Sequence, residues 1–385
     1  MVAGDVSGDR QGANLARALR ARHPDVVLYG AGGEHMRDAG VDVRVPMTHL
    51  SFIGLQESLR YVWPLRRAMT QLRRLARAEP PDAAILIDYE SFNSALARGL
   101  AKEGIPVVLF YPPPIWLWGE WRAPAISRLA KLIITEFASD AEMYRRHSGR
   151  AVWFGHPLLD VVAPEEDYRR VFADLGLDPT RPTMALLPGS RAQELKYLAA
   201  PLLGAARIVK NRHPDLQLIL PLAAPHLRAL LNKELARTGM SREVTVVTDH
   251  VYACLSRCDV ALMSSGTATL ELALLRVPMV VVYRGSAVTF LACRCVIKNW
   301  AIARPNILLR ERVVPEFIQS DVTAERIAAE ALDILENKQR AATMRARLDS
   351  IRPLLGDGGA IDRAAAAILQ EAGVPSELDW HGAKT

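Results

Sequence analysis

Residues 260–283 read VALMSSGTATLELALLRVPMVVVY, in which two aliphatic runs bracket a small-residue turn and an apolar-periodic segment. Val260–Met263 and Met279–Tyr283 are short, continuous and rich in valine, the pattern of strands buried on both faces of a parallel sheet. The segment between them has the length and spacing of a helix, and a helical crossover makes its flanking strands parallel. Ser264, Ser265, Gly266 and Thr267 form the turn. Their hydroxyls can cap the helix and leave its first N–H groups pointing outward, an arrangement that attracts anions. Glu271 is a single acid among leucines. It reads as an acceptor for ligand hydroxyls or as an acid favoured by the helix dipole.

The same alternation extends in both directions. VVLYG from Val26, AAILID from Ala83, PVVLFY from Pro106 and LIIT from Leu132 read as strands, with helical segments such as Gly12 to His23 and Ser94 to Glu103 between them. The chain turns polar from Pro164 to Arg181, and a second series follows in TMALLPGS, LQLILPLA, VTVVTD, DVALMSS and VPMVVVY. Alternating β and α segments predict an α/β fold with parallel sheets. Two doubly wound domains, hinged near residues 160–180, fit this pattern, and at 385 residues with 50% hydrophobic composition the chain exceeds what one core usually supports. Only Met1, Val2 and Ala3 precede Gly4. A first strand is usually longer, so the sequence suggests a start codon assigned too late, the preferred reading, or a stunted first strand.

Lys and Arg outnumber the acids 48 to 42, a net charge of +6 that favours anionic partners without choosing among them. Cys254, Cys258, Cys293 and Cys295 come with no histidine pair at metal-ligand spacing. That reads against zinc, and so few cysteines suit a reducing compartment. The N-terminal residues lack a signal-peptide pattern, and no long uncharged apolar run occurs. Export and membrane spanning are therefore not expected.

Four strand-to-helix turns carry candidate chemistry. Gly4, Ser7, Gly8, Asp9 and Gly12 form a glycine-rich loop, open to a ligand or simply connecting two elements. In LLPGSRAQELK, Gly189 and Ser190 end a strand and Arg191 stands at a helix start, with Glu194 three residues on. Arg191 can clamp a phosphate or pair with a nearby acid. The turn at Ser265, Gly266 and Thr267 is the third. In ILIDYESFNSA, Asp88 ends a strand where open α/β sheets place ligands, and it reads as a general base or as a turn-former.

Taken together, AGDVSGDRQGANL, SFIGLQE, LIDYESFN, WLW, FGHPLLD, LLPGSR, SSGTATLELALL, VPMVVVYR and PNILL resemble, in order and spacing, the lipid-A-disaccharide synthase family from about residue 2 to about residue 370. The resemblance implies a GT-B glycosyltransferase fold, two Rossmann-like domains facing across a cleft. Residues 1–160 would form the acceptor- and membrane-facing domain and 161–355 the UDP-sugar domain. Residues 356–385 would carry a last helix, 360–371, returning to the first domain. The implied reaction transfers 2,3-diacylglucosamine from its UDP ester to the acylated sugar phosphate 2,3-diacylglucosamine 1-phosphate, inverting at the anomeric carbon, with no metal, cofactor or nucleic acid. By resemblance Asp88 is the base, Arg191 faces the diphosphate and Glu271 the ribose. Gly189, Ser190, Ser265, Gly266, Thr267 and Asn306 belong to the nucleotide side, and Ser7, Gly8 and Asp9 to the acceptor loop. His156, in the matching Gly-His-Pro, reads as structural or catalytic. Loop amides and the Arg191 guanidinium would together cradle the pyrophosphate.

The segment from Ser51 to Arg77 adds a surface. Leu55, Leu59, Val62 and Trp63 can share one helical face and Leu65, Met69 and Leu72 another, while Arg66 and Arg67 are among its cations. Apolar area beside basic side chains suits an anionic membrane on the cytoplasmic side, and the same pattern suits a helix packed on a sheet. Pro64 argues against one continuous helix. Departures from the family pattern cluster on the acceptor side. Asp5 replaces a glutamate; DYESFN stands for DAPDFN, which puts Ser91 at an aspartate; PPPIWLWG stands for SPSVWAWR, which puts Pro112 and Pro114 at serines and Gly119 at an arginine; and NILLRERVVPE lacks the AGRE order. A related UDP-sugar enzyme such as a UDP-N-acetylglucosamine epimerase, or a non-catalytic relative that binds lipid or nucleotide, is the alternative.

Overall fold

The structure, a computed structural model, describes residues 1–48, 55–112, 119–163, 167–286 and 301–374, the side chains of 55–61, 90 and 91 excepted. The side chains of Leu55, Leu59 and Ser91, and residues Pro114, Cys293 and Cys295, thus lie outside the described residues.

The chain divides into two units, Met1–Asp160 with the stretch from Leu355 onward, and the chain from Val161 to Leu354. The first holds strands β1 (Val2–Ala3), β2 (Tyr29–Gly32), β3 (Asp42–Pro46), β4 (Ala84–Ile87), β5 (Val107–Phe110), β6 (Leu132–Thr135) and β7 (Ala151–Trp153). They form one sheet in the order β3-β2-β1-β4-β5-β6-β7, with every pairing parallel. β1 is only two residues long, yet it pairs with both β2 and β4. Next to it the Met1 carbonyl accepts from Ala31 N–H at 3.0 Å. The buried Met1 amine donates to the Tyr29 carbonyl at 2.8 Å, and loss of solvent lowers its pKa to about 5.

Side-chain alternation explains why these strands are apolar at every position. Ala84, Leu86, Val107, Leu109 and Ile133 belong to one core, while Ile85, Ile87, Val108, Phe110, Leu132 and Ile134 belong to the other. The first core takes in residues of α3 (Leu55–Ala78) and α4 (Glu90–Lys102); the second takes in α1 (Val6–Arg22), α2 (Glu34–Asp38) and the helix Ala360–Glu371. That last helix is fastened at both ends. Asp160 accepts from Gly359 N–H and, at 2.9 Å, from Ile361 N–H, while Arg150 and Lys131 pair with Glu371 at 2.6 and 3.4 Å.

α3 runs unbroken through Pro64, contrary to the interruption expected from sequence. Pro64 sits on the exposed side, where a carbonyl left without its helical partner can turn to water, while Ala68, Leu72 and Ala76 bury the opposite side.

In the second unit, β8 (Thr183–Leu187), β9 (Gln217–Pro221), β10 (Val244–Val247), β11 (Val260–Ser264), β12 (Met279–Tyr283) and β13 (Glu316–Ile318) form a parallel sheet in the order β10-β9-β8-β11-β12-β13. Both sheets reverse their winding direction once, at β1/β4 in the first and β8/β11 in the second. Such reversals open a crevice at the carboxyl ends of the strands, the usual ligand position in open α/β sheets.

Candidate functional site

The turns singled out in the sequence follow β1, β4, β8 and β11, the four strands that flank the two reversals. In the first unit, a Cβ at Gly8 would lie 3.7 Å from Asp88 Cβ, so the glycine loop and Asp88 are neighbours. Asp88 and Tyr89 both adopt left-handed backbone conformations, φ 48° and 41°, which L-residues with a side chain enter only against strain. The Tyr89 ring lies where a Gly4 Cβ would stand. Glycine is therefore required at position 4 by its neighbour.

The three loop residues occupy different surroundings. Ser7 is half-buried near the start of α1. Gly8 donates its N–H to Asp5 Oδ1 at 2.7 Å, so Asp5 caps the helix. Asp9 is 2% exposed and accepts from the backbone N–H groups of Gly33, His35 and Met36 at 2.6, 3.0 and 3.3 Å. That carboxylate holds the start of α2; this work within the fold accounts for its burial. His156 is fully buried, accepts from Leu158 N–H through Nδ1 at 3.2 Å and meets the Phe137 ring edge-on.

In the second unit, the loop after β8 contains its own anion. Glu194 Oε2 accepts from the N–H groups of Ser190 and Arg191 at 2.7 and 3.2 Å, and Glu194 Oε1 pairs with Arg191 Nη1 at 3.1 Å. Gly189 has φ 123°, and a Cβ there would overlap Glu194. The backbone amides expected to cradle a pyrophosphate at this loop serve Glu194 here, a tethered carboxylate in the first turn of the helix that reaches back to the N–H groups before it.

The turn after β11 is different. Gly266 is exposed, and a Cβ there would meet nothing within 4 Å. The Ser265 hydroxyl donates to the Ile302 carbonyl at 2.7 Å, and the fully buried Thr269 donates to Gly266 O at 2.7 Å while accepting from Arg304 N–H at 3.3 Å. Thr267 and Glu271 are half-buried, the latter in the short helix Ala268–Leu274. These hydroxyls hold the turn against the loop that starts the helix Arg304–Leu309.

Asn306 sits in that helix and is fully buried. Its Nδ2 donates to Val314 O and Glu316 Oε1, both at 2.9 Å, and its Oδ1 accepts from Val313 and Val314 N–H at 2.8 and 3.0 Å. An amide has two N–H donors and two acceptor lone pairs. All four are used within the fold, where Asn306 ties its helix to the segment 313–316. Glu316 completes this tie, accepting from Ile302 and Ala303 N–H at 3.1 and 2.7 Å. Sequence reasoning missed Glu316, and an isolated acid in a short strand gives no local signal for such a role.

On α3, Val62, Trp63, Arg66 and Arg67 are exposed, Trp63 by 75%. Arg66 lies over the Trp63 ring at 5.6 Å. Leu65 and Met69 pack against the core from the same helix.

The lipid-A-disaccharide synthetase family model matches residues 1–368. The chain belongs to the lipid-A-disaccharide synthase family. It is 38% identical over 373 residues to a lipid-A-disaccharide synthase of Geobacter sulfurreducens, covering 97% of each chain. It is 34% identical over 368 residues to one of Coxiella burnetii, covering 96% of each. Among solved structures, a putative UDP-N-acetylglucosamine 2-epimerase from Listeria monocytogenes superposes with a TM-score of 0.65 at 14% identity, covering 98% of this chain and 97% of that one. MurG of Acinetobacter baumannii gives 0.56 at 14% identity, covering 96% and 98%. These likenesses show the GT-B fold, to which this member of the synthase family conforms in both parallel sheets.

Proposed function

We propose that the chain is a glycosyltransferase of lipid A biosynthesis that moves 2,3-diacylglucosamine from its UDP ester to 2,3-diacylglucosamine 1-phosphate, releasing UDP and forming a β-linked disaccharide. The family match over residues 1–368 carries this reading. The acceptor hydroxyl must lose a proton as it attacks the anomeric carbon, and Asp88, at the β1/β4 reversal beside the glycine loop, is the base. The departing diphosphate needs its growing charge stabilised. Arg191 supplies guanidinium N–H groups, and the open backbone at Gly266 allows close approach. Glu271, in the helix that begins just beyond this turn, takes the ribose hydroxyls.

Exposed Val62 and Trp63 beside Arg66 and Arg67 support docking of α3 on an anionic bilayer, which would give the enzyme access to two acylated substrates. Among the described residues no helix is long and apolar enough to cross a membrane. Incubating the protein with the acylated UDP donor and the acylated sugar phosphate tests the reaction. Disaccharide with stoichiometric UDP is the expected product; epimerised donor, or bound UDP without turnover, would overturn the assignment.

A further inference from the structure

We infer that Asn93 is a positioning residue for the transfer, acting on Asp88 through the backbone. The inference rests on the reading of Asp88 as base. Asn93 is 2% exposed in the first turn of α4, and its Nδ2 donates to two successive carbonyls, Ile87 O at 3.0 Å and Asp88 O at 2.8 Å. Its own N–H donates to the Tyr89 carbonyl at 3.1 Å. One residue therefore holds the carbonyls of 87, 88 and 89.

This grip falls where the chain departs from easy geometry. Asp88 and Tyr89 are consecutive non-glycine residues with positive φ, and such a pair persists only when surrounding contacts over-determine it. The sheet contributes a bond there, from Asp88 N–H to the Phe110 carbonyl at 3.2 Å. A second restraint is local, Tyr89 N–H donating to Asp88 Oδ1 at 2.9 Å. The direction of the Asp88 carboxylate follows the peptide planes on either side of its Cα, and Asn93 is bonded to the oxygen of both. Asn93 Oδ1 is buried and meets no donor among the described residues. Among the described residues, the hydrogen bonds of this side chain are its two donations. An aspartate of the same size cannot make them when ionised, and a leucine cannot make them at all. Without them, the turn can relax toward ordinary φ values and swing the carboxylate away from the acceptor hydroxyl.

A double-mutant cycle tests this, using both acylated substrates with the full chain. Asn93→Asp should lower kcat by about 10- to 100-fold, the loss expected from a small misplacement of a reacting group. UDP affinity, which depends on the other unit, should stay within about twofold. In an Asp88→Asn background the same substitution should lower kcat by less than about threefold, because the carboxylate it positions is already gone. Asn93→Ser, which keeps one donor, should fall between wild type and Asn93→Asp, and it decides by the same criteria if Asn93→Asp does not fold. Unchanged kcat in Asn93→Asp, or an equal loss in both backgrounds, would overturn the positioning role. Full activity in Asp88→Asn alone would instead remove the base assignment, a separate failure.

Discussion

Asn306 separates a supporting role from a contact role. Replacing it with alanine removes four hydrogen bonds and leaves Val314 N–H and Val314 O without the partner that buries them, with Val313 N–H and the Glu316 carboxylate partly so. Two buried groups left unsatisfied cost about 1–3 kcal/mol each, about 2–6 kcal/mol together, and the two partly satisfied ones add less. That is a large share of a typical folding stability of about 5–15 kcal/mol. Asn306→Asp keeps the acceptor oxygen but sets a second carboxylate at hydrogen-bond distance from Glu316 Oε1, 2.9 Å in the native pair. Two carboxylates that close share a proton, so the upper pKa of the pair rises in the folded state. A raised folded-state pKa means that stability is present at low pH and is lost as pH rises through it. The Asp variant should therefore unfold at lower urea near pH 8 than near pH 5, measured against wild type at each pH. Urea titrations with UDP binding followed in parallel provide the assay. An Asn306→Ala variant with wild-type urea midpoint and no UDP affinity would refute the reasoning, because only a direct ligand contact behaves that way.

Two further expectations follow from the first unit. Gly4→Ala should destabilise the fold because its Cβ would overlap the Tyr89 ring; adding Tyr89→Ala should recover part of the loss, and strictly additive urea midpoints would contradict the contact. His35 has its pKa lowered, by burial first and then by Arg10. Its neutral form is therefore favoured in the fold, and the stability it contributes above the ordinary histidine pKa should be lost as pH falls below about 6.5. His35→Gln should flatten the change in urea midpoint between pH 7.5 and 5.5, and an unaltered pH slope would exclude His35 as its source.

The inner strands were legible because a parallel sheet covered on both faces needs apolar residues at every position, as in AILI at 84–87 and VALMS at 260–264. The edges were not. β3 (DVRVP) is half polar because Arg44 pairs with Asp42 and Glu79 at 2.6 and 2.7 Å on the open side. β7 and β13 are three residues each, too short for a pattern to register. β2 begins at Tyr29 rather than Val26, and Val27 is 79% exposed. Turn positions could be read from small residues and strand ends, but their inner partners could not. Glu194, which consumes the amides beside Arg191, was visible only as an acid three residues after it; Glu316 joins residues 302–306 across the fold, which no local pattern signals.

Calorimetric titration with UDP tests most directly whether the reversal at β8/β11 binds the donor nucleotide. Wild type should bind UDP with measurable heat, and Arg191→Ala should weaken that binding by about 10- to 100-fold, the worth of one charge-assisted contact of about 1.5–3 kcal/mol. No heat from wild type, or an Arg191→Ala variant that binds UDP as tightly as wild type, would contradict the account.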